Sequence, residues 1–332
     1  MTSFGFSQAG WVALRTPISM PYYEKWIEQN RHGNMDYMVR HMPEKREPQR
    51  LLKSAQSAFV LTHPYYPHPS PSALPNLKIA KYARGADYHH WISSKVETAI
   101  QELKKGFPNE DFAGFVDSKP VLERELAHRA GLGWIGKNTC LIDQKLGSYN
   151  FIAEIYSTLK CPIPDVMHPD RCGTCTRCID ACPTKALDTE NGLDSRKCIS
   201  YLTIEDREFS PNQWIKETQG WYFGCDICQD VCPWNQKPIQ KSSSLENPVP
   251  NETENNNQAL KKILSSSNSQ LREMFKGTPL LRAAPNAHRR NSLYVILSEQ
   301  RRELLPYVEK LLCHDKLGEL ARYVMDQLGS KT

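Results

Sequence analysis

Seven cysteines fall in two tight runs. "CGTCTRCIDACP" (Cys172 to Pro183) reads C-x2-C-x2-C-x3-C-P, whereas "CDICQDVCP" (Cys225 to Pro233) holds only three. Such spacing suits [4Fe–4S] clusters, because each iron takes one thiolate and close x2 steps reach adjacent irons. In two-cluster ferredoxins the cysteine before the proline crosses to the other cube. Cys172, Cys175 and Cys178 therefore take Cys232, and Cys182 joins Cys225 and Cys228. The second cube still lacks a ligand, since the regular position is Tyr222. Cys198, in "DSRKCISYL", is the one unassigned cysteine inside the module and completes the set. A 26-residue insertion, Ile199 to Gly224, then separates two ligands of that cube and is free to cover a cluster or line a cofactor. An isolated C-x2-C would suit zinc equally; two Cys-Pro runs with complementary deficits do not. Cys140, Cys161 and Cys313 lie outside the pattern and read as buried structural thiols.

Two clusters imply electrons delivered one at a time to a client. No G-x-G-x-x-G and no P-loop occurs, so neither a Rossmann nicotinamide site nor a Walker site has support. The client belongs in the N-terminal part. The chain has 332 residues, enough for two or three domains, and 39% hydrophobic residues, enough for real cores. Its net charge of +5 permits contact with a polyanion. The eleven cysteines are clustered rather than spread, and the start has no basic segment followed by an apolar one. No run approaches a membrane span. These features predict a cytoplasmic protein with thiols reserved for metal and no membrane partner.

Three segments follow from pattern. Residues 1–165 are mixed α/β: "SAFVLTHPYY" (Ser57 to Tyr66) and "YNFIAEIYSTL" (Tyr149 to Leu159) read as strands, and "WISSKVETAIQEL" (Trp91 to Leu103) has helical spacing. Residues 166–240 are the ferredoxin-like two-cluster module. Residues 241–258 are polar and read as a linker. Residues 259–332 repeat short amphipathic helices, a small HEAT-like unit. From Leu271 to Thr332 there are eleven Lys/Arg against seven Asp/Glu, so most of the positive excess sits at this end; a solvated helical surface explains it equally well.

"FVDSKPVLERELAHRAGLGWIGKN" (Phe115 to Asn138), "RKCISYLTIE" and "YFGCDICQDVCPWN" together resemble the epoxyqueuosine reductases. The likeness is strong over residues 4 to 240 and looser in the C-terminal helices. Members usually carry a helix before the "GF" at Gly5 and Phe6; here four residues precede it. The resemblance implies that the client is cobalamin, bound base-off with no protein histidine beneath it. It implies removal of the epoxide oxygen of epoxyqueuosine in a tRNA anticodon loop, the last step of queuosine synthesis. An external electron donor and a monomeric chain complete the expectation. A reductive dehalogenase combines the same cofactors but usually has a twin-arginine export signal, absent here. A non-catalytic cobalamin-handling carrier would not need basic C-terminal helices.

The residues of "DSKPVLER" also read as a plain helix start, with Asp117 or Ser118 capping and Pro120 in the first turn. The resemblance makes Asp117 the proton donor beside the cobalt, and burial against an apolar corrin would favour its neutral form. It gives Arg124 the phosphate of the modified nucleotide, a good match for a guanidinium; otherwise Arg124 is a surface arginine. In "GLGWIGKN" the glycines could let backbone approach a flat macrocycle, with Lys137 and Asn138 bonding corrin amides. "YARGADYHHW" fails the D-x-H-x-x-G pattern because Ile92 stands at the glycine. Asp87, Tyr88, Tyr82 and Arg40 then remain as edge contacts to cobalamin, or as ordinary surface and packing residues. Arg282, Arg289 and Arg290, in "LRAAPNAHRRN", are expected to grip the phosphates of the anticodon stem.

Overall fold

The strands in chain order are β1 (Gln8–Ala13), β2 (Ser57–Pro64), β3 (Lys78–Ile79), β4 (Phe112–Phe115), β5 (Trp134–Ile135), β6 (Leu141–Ile142), β7 (Asn150–Ser157), β8 (Leu187–Asp188), β9 (Gly192–Leu193) and β10 (Trp221–Phe223). The principal helices are α1 (Met20–Glu28), α2 (Asp36–Arg40), α3 (Met42–Arg46), α4 (Tyr88–Gly106), α5 (Glu123–Arg129), α6 (Arg177–Ala181), α7 (Ile199–Ile204) and α8 (Ile227–Asp230). After these come α9 (Glu252–Ser265), α10 (Asn268–Met274), α11 (Pro285–Ser298), α12 (Leu305–Glu309) and α13 (Gly318–Gly329). This computed structural model describes residues 4–66, 74, 77–188, 192–236 and 252–329.

The N-terminal part is built on a four-stranded antiparallel sheet in the order β1-β2-β7-β4. Both strands expected from alternation are its centre. The expected helix at 91–103 extends to Tyr88–Gly106, because the Asp87 carboxylate accepts from the His89 N–H at 3.1 Å and caps it. Its buried stripe of Tyr88, Ile92, Val96, Ala99 and Ile100 covers one sheet face with Leu61, Ala153 and Ile155. On the other face α5 packs Leu126 and Ala127 against Val60, Phe115 and Tyr156. Each large side chain so buried contributes roughly 1.5–3 kcal/mol.

The insertion between Cys198 and Cys225 joins the cysteine module to the C-terminal helices. Its α7 and β10 enter the core of the C-terminal helices, where Ile204, Ile215, Tyr222 and Phe223 pack with Leu260, Phe275, Leu293, Val308 and Leu320. Tyr222, at the position where a regular second run has cysteine, is fully buried there and its hydroxyl bonds His288 Nδ1 at 2.7 Å. Most of the expected linker lies outside the described residues, but α9 begins at Glu252, inside the stretch read as linker. Its buried residues among those whose side chains are described are Leu260, Ile263 and Leu264, beyond the polar stretch. Among the described residues no helix is long and apolar enough to cross a membrane.

Two of the three arginines expected to meet phosphate are inside the protein. Arg290 is fully buried; its guanidinium donates to the carbonyls of Asp206 and Glu208 at 2.7 and 3.1 Å and lies over the rings of Phe209 and Tyr294. Arg289 is buried and donates to Asn268, Asn286 and the Ser266 carbonyl. Both are structural clamps, and charge counting cannot distinguish a clamp from a phosphate site. Arg290→Met should leave the buried Asp206 carbonyl unpaired and cost on the order of 1–3 kcal/mol. Thermal unfolding should show a clear loss, with new protease cuts near Asp206 to Phe209.

Cys313 is exposed, contrary to its reading as a buried thiol, whereas Cys140 and Cys161 are partly covered.

Candidate active site

Asp117 lies two residues beyond β4, not at a helix start. The α5 helix begins only at Glu123, after Leu122, with no side-chain cap. Asp117 has φ of +46°, a left-handed conformation that a short polar side chain tolerates. This turns its carboxylate back toward α4, where the Tyr88 hydroxyl donates to Oδ2 at 2.6 Å. His89 Nε2 lies 3.9 Å from the same oxygen, and its Nδ1 is 2.7 Å from Asp87 Oδ1. The Tyr88 ring is fixed by stacking on Phe151 at 4.1 Å. Tyr82 meets it edge-on at 6.2 Å. Asp117, Tyr82, Asp87 and Tyr88 are thus brought together, while Arg40 is exposed at the end of α2.

The chain itself leaves Asp117 open and buries the acids behind it. The Asp117 side chain is 61% exposed, and its backbone N–H donates to Glu123 Oε1 at 3.1 Å. Burial, and then the charge of Asp117, push Glu123 up to about 8. Beneath it Glu154, in the middle of β7, has no exposed surface, and neither carboxylate oxygen has a hydrogen-bond partner. Sequence reasoning missed both residues, although a glutamate at an inward strand position of "FIAEIY" is the visible signal.

Arg124 is exposed and donates to the carbonyl of Thr139. Arg282 is the one arginine of its trio at the cleft. It pairs with Glu205 at 2.9 Å, its guanidinium lies 5.9 Å from the centre of the Tyr37 ring, and Asp117 is near enough to act on its charge.

The glycine-rich turn serves the cysteine loops. A side chain at Gly133 or Gly136 would strike Ile142 of the same β5–β6 hairpin, so these glycines allow close packing within the hairpin. Lys137 Nζ donates to the carbonyls of Gly173 and Cys175 at 2.7 and 3.0 Å. Asn138 is buried, with Nδ2 3.5 Å from the Cys228 carbonyl. The expected corrin ligands Lys137 and Asn138 therefore tie together the two cysteine runs.

Cys172, Cys175, Cys178 and Cys232 line one cavity of about 260 Å³, with Arg171, Arg177, Lys137 and Trp234 on its walls. The second group is Cys182, Cys198, Cys225 and Cys228. Cys225 feels the charge of Cys198 and Cys182, and Cys228 that of Cys198 and Cys225. Burial raises the thiols of Cys198, Cys225 and Cys228, so metal is needed to hold them as thiolates. The first four cysteines surround a volume, as ligands spread one to each iron of a cube would. Cys140 lies beside Cys228, Cys232 and Cys178, and burial pushes its thiol up to about 12.

Comparison with known proteins agrees with this arrangement. A family model for a 4Fe-4S double cluster binding domain matches residues 171–235, and one for epoxyqueuosine reductase QueG, DUF1730, matches residues 45–118. The epoxyqueuosine reductase of Cyclobacterium marinum is 45% identical over 228 residues, 68% of this chain and 74% of that one. That of Leadbetterella byssophila is 42% identical over 275 residues, 83% and 88% of the two chains. Among solved structures, the Streptococcus thermophilus enzyme superposes with a TM-score of 0.83 at 24% identity, over 100% of this chain and 89% of that one, a likeness of fold. A Bacillus subtilis enzyme with its catalytic aspartate loop swung out of the active site gives 0.80 at 26% identity, over 98% and 88%. An enzyme with an epoxyqueuosine-modified tRNA-Tyr stem loop gives 0.79 at 26%, over 99% and 88%. With identities this high over most of both chains, and double-cluster cysteines in the same sequence, the chain belongs to the epoxyqueuosine reductase family.

Proposed function

We propose that this protein reduces epoxyqueuosine to queuosine in the anticodon loop of a tRNA, with Asp117 as the proton donor at the reacting oxygen. The observation that carries the reading is an exposed carboxyl on a left-handed backbone, aimed by the Tyr88 hydroxyl and backed by a buried acid. A related enzyme with epoxyqueuosine-modified tRNA, and another named for the movement of its catalytic aspartate loop, support it.

The described residues suit cobalamin in their chemistry. Tyr82, Asp87 and Tyr88 stand beside Asp117 and would offer aromatic and polar contacts to the macrocycle, with Arg40, exposed at the end of α2, as a further candidate. When bound, cobalamin would supply a low-valent metal able to reduce a carbon–oxygen bond, with electrons drawn through two [4Fe–4S] clusters from an external donor. We assign the first cluster to Cys172, Cys175, Cys178 and Cys232, and the second to Cys182, Cys198, Cys225 and Cys228. In this reading residues 1–165 form the cofactor cleft, 166–240 the cluster module, and the helices after the linker the support for tRNA.

The chain's own residues then do three things. Tyr88 and the left-handed backbone orient the Asp117 carboxyl. Asp117 gives its proton to the oxygen as a carbon–oxygen bond breaks. Arg124 and Arg282 hold phosphate at the mouth, where the base must be turned out of its stack to be reached. Reconstituted protein with reductant and epoxyqueuosine-containing tRNA should yield queuosine by nucleoside mass spectrometry; absence of product would refute the reading. Arg282→Ala should weaken binding of an anticodon stem-loop and reduce the log–log salt slope by about one, with iron content intact.

A further inference from the structure

Each oxygen removed from the substrate requires two electrons from outside, and the two cysteine groups differ in where they stand to receive them. Gly224 and Asp226 flank Cys225 of the second group. A side chain at Gly224 would meet Ala80 and Tyr82, and Asp226 Oδ2 accepts the Lys81 N–H at 2.7 Å. The second group therefore abuts the segment that carries Tyr82 to the candidate active site. The first group faces outward. Gly173, Thr174, Thr176 and Arg177, between its first three cysteines, are exposed, whereas Asp226, next to Cys225, is buried.

The surface around the first group is basic and apolar together. Arg171 and Arg177 line its cavity and are exposed, and none of the residues that line it is an acid. Among the described residues neither arginine has an ion pair or a side-chain hydrogen bond. The nearby Asp170 and Asp180 are turned onto the cysteine loop, where they accept from the Cys172 N–H at 2.8 Å and the Thr176 hydroxyl at 2.7 Å. Beside the arginines, the Val166 N–H donates to the Arg129 carbonyl at 2.9 Å, and the His168 ring lies 5.3 Å from that of Trp134. Trp134 in turn meets Trp234, on the cavity wall, edge-on at 5.0 Å. These contacts fix the backbone next to the first group, yet Val166 and Met167 are 58% and 56% exposed, and Ile135, next to Trp134, is 39% exposed. Exposed large apolar side chains beside arginines free to steer a partner are what a protein-binding patch needs. Phosphate contact alone would need the arginines and not the apolar residues.

We infer that this face, centred on Arg171, Arg177, Val166 and Met167, docks the external electron donor, and that the donor is a small carrier protein with an acidic surface around its redox centre. At each docking the reduced carrier loses one electron and the first cluster gains one; no covalent bond changes. Two dockings supply one turnover. The inference rests on the proposed cluster assignment and names where electron delivery begins.

Reduced plant-type ferredoxin, a small acidic [2Fe–2S] protein, is the probe, mixed anaerobically with the full-length protein carrying both clusters and no tRNA. Its oxidation, followed by stopped flow, should be fast at low salt and slow down as salt screens the encounter. Arg171→Glu with Arg177→Glu should slow it on the order of tenfold or more at low salt and remove most of the salt dependence. Val166→Glu with Met167→Glu leaves the cavity walls untouched. It should also slow the reaction on the order of tenfold, with iron content and reduction by methyl viologen radical at the parent's level. Parent-like rates and salt dependence in both pairs would overturn the docking face. A parent protein that methyl viologen reduces and ferredoxin does not would overturn the acidic carrier. An anticodon stem-loop that blocks ferredoxin, and binds more weakly to the arginine pair variant, would make the face an RNA site instead. Normal reduction through this face in protein that makes no queuosine would support the docking and refute the proposed function.

Discussion

Asp117→Asn should retain fold, iron and cofactor content and lose turnover by on the order of a hundredfold or more. The substitution is close to a single-atom change in effect. Asparagine tolerates the left-handed backbone at φ +46°, which alanine would not do without strain of roughly 1–2 kcal/mol. Its carbonyl oxygen can still accept from the Tyr88 hydroxyl, and its backbone N–H can still reach Glu123. What disappears is the transferable proton. Single-turnover conversion of modified tRNA, followed by nucleoside mass spectrometry, measures it, with the thermal transition as the control for folding. Turnover within a few fold of the parent would reduce Asp117 to a turn residue.

Cys198→Ala should lower iron from about eight to between four and seven atoms per chain and abolish most reduction of the substrate. Cys198 stands immediately before α7, and Cys182 acts on it, Cys198 and Cys182 on Cys225, and Cys140, Cys198, Cys225 and Cys178 on Cys228. Removing a thiolate opens one corner of that set alone, because the first four line a separate cavity. The exposed Cys313 serves as the control, and its alanine variant should leave iron and sulfide unchanged. Full iron and sulfide in Cys198→Ala, with unchanged EPR of both reduced clusters, would send the search for the eighth ligand elsewhere.

The elements and cysteine runs were legible because spacing is itself their physics. An apolar run marked β2, alternation marked β7, and the helical spacing from Trp91 to Leu103 marked α4, since each records which side chains face a core. Residues whose role depends on what folds over them were not legible. Arg289 and Arg290 look like a basic patch in one dimension and are buried clamps in three. Lys137 and Asn138 sit in a glycine-rich stretch whose partners lie about 36 and 90 positions away, in the cysteine loops. Asp117 resembled a helix cap because Pro120 and the apolar pattern after it are real helix signals, yet the helix waits until Glu123. Glu154 was passed over as one polar letter in an apolar strand, although its cost there made it the most informative residue of β7.

The strand that carries the acid has a mechanical consequence. β4 is four residues long and pairs with β7 alone, from Phe112 opposite Ser157 to Phe115 opposite Glu154, whereas β2 and β7 have neighbours on both sides. Free energies of local opening follow how many such bonds and how much packing must be given up. Asp117 therefore hangs from an edge strand of the sheet, while β2 and β7 are its centre. With Asp117 as the proposed acid, opening of that edge would withdraw it and break its contact with Glu123, whereas the cluster loops are held separately through Lys137 and Asn138.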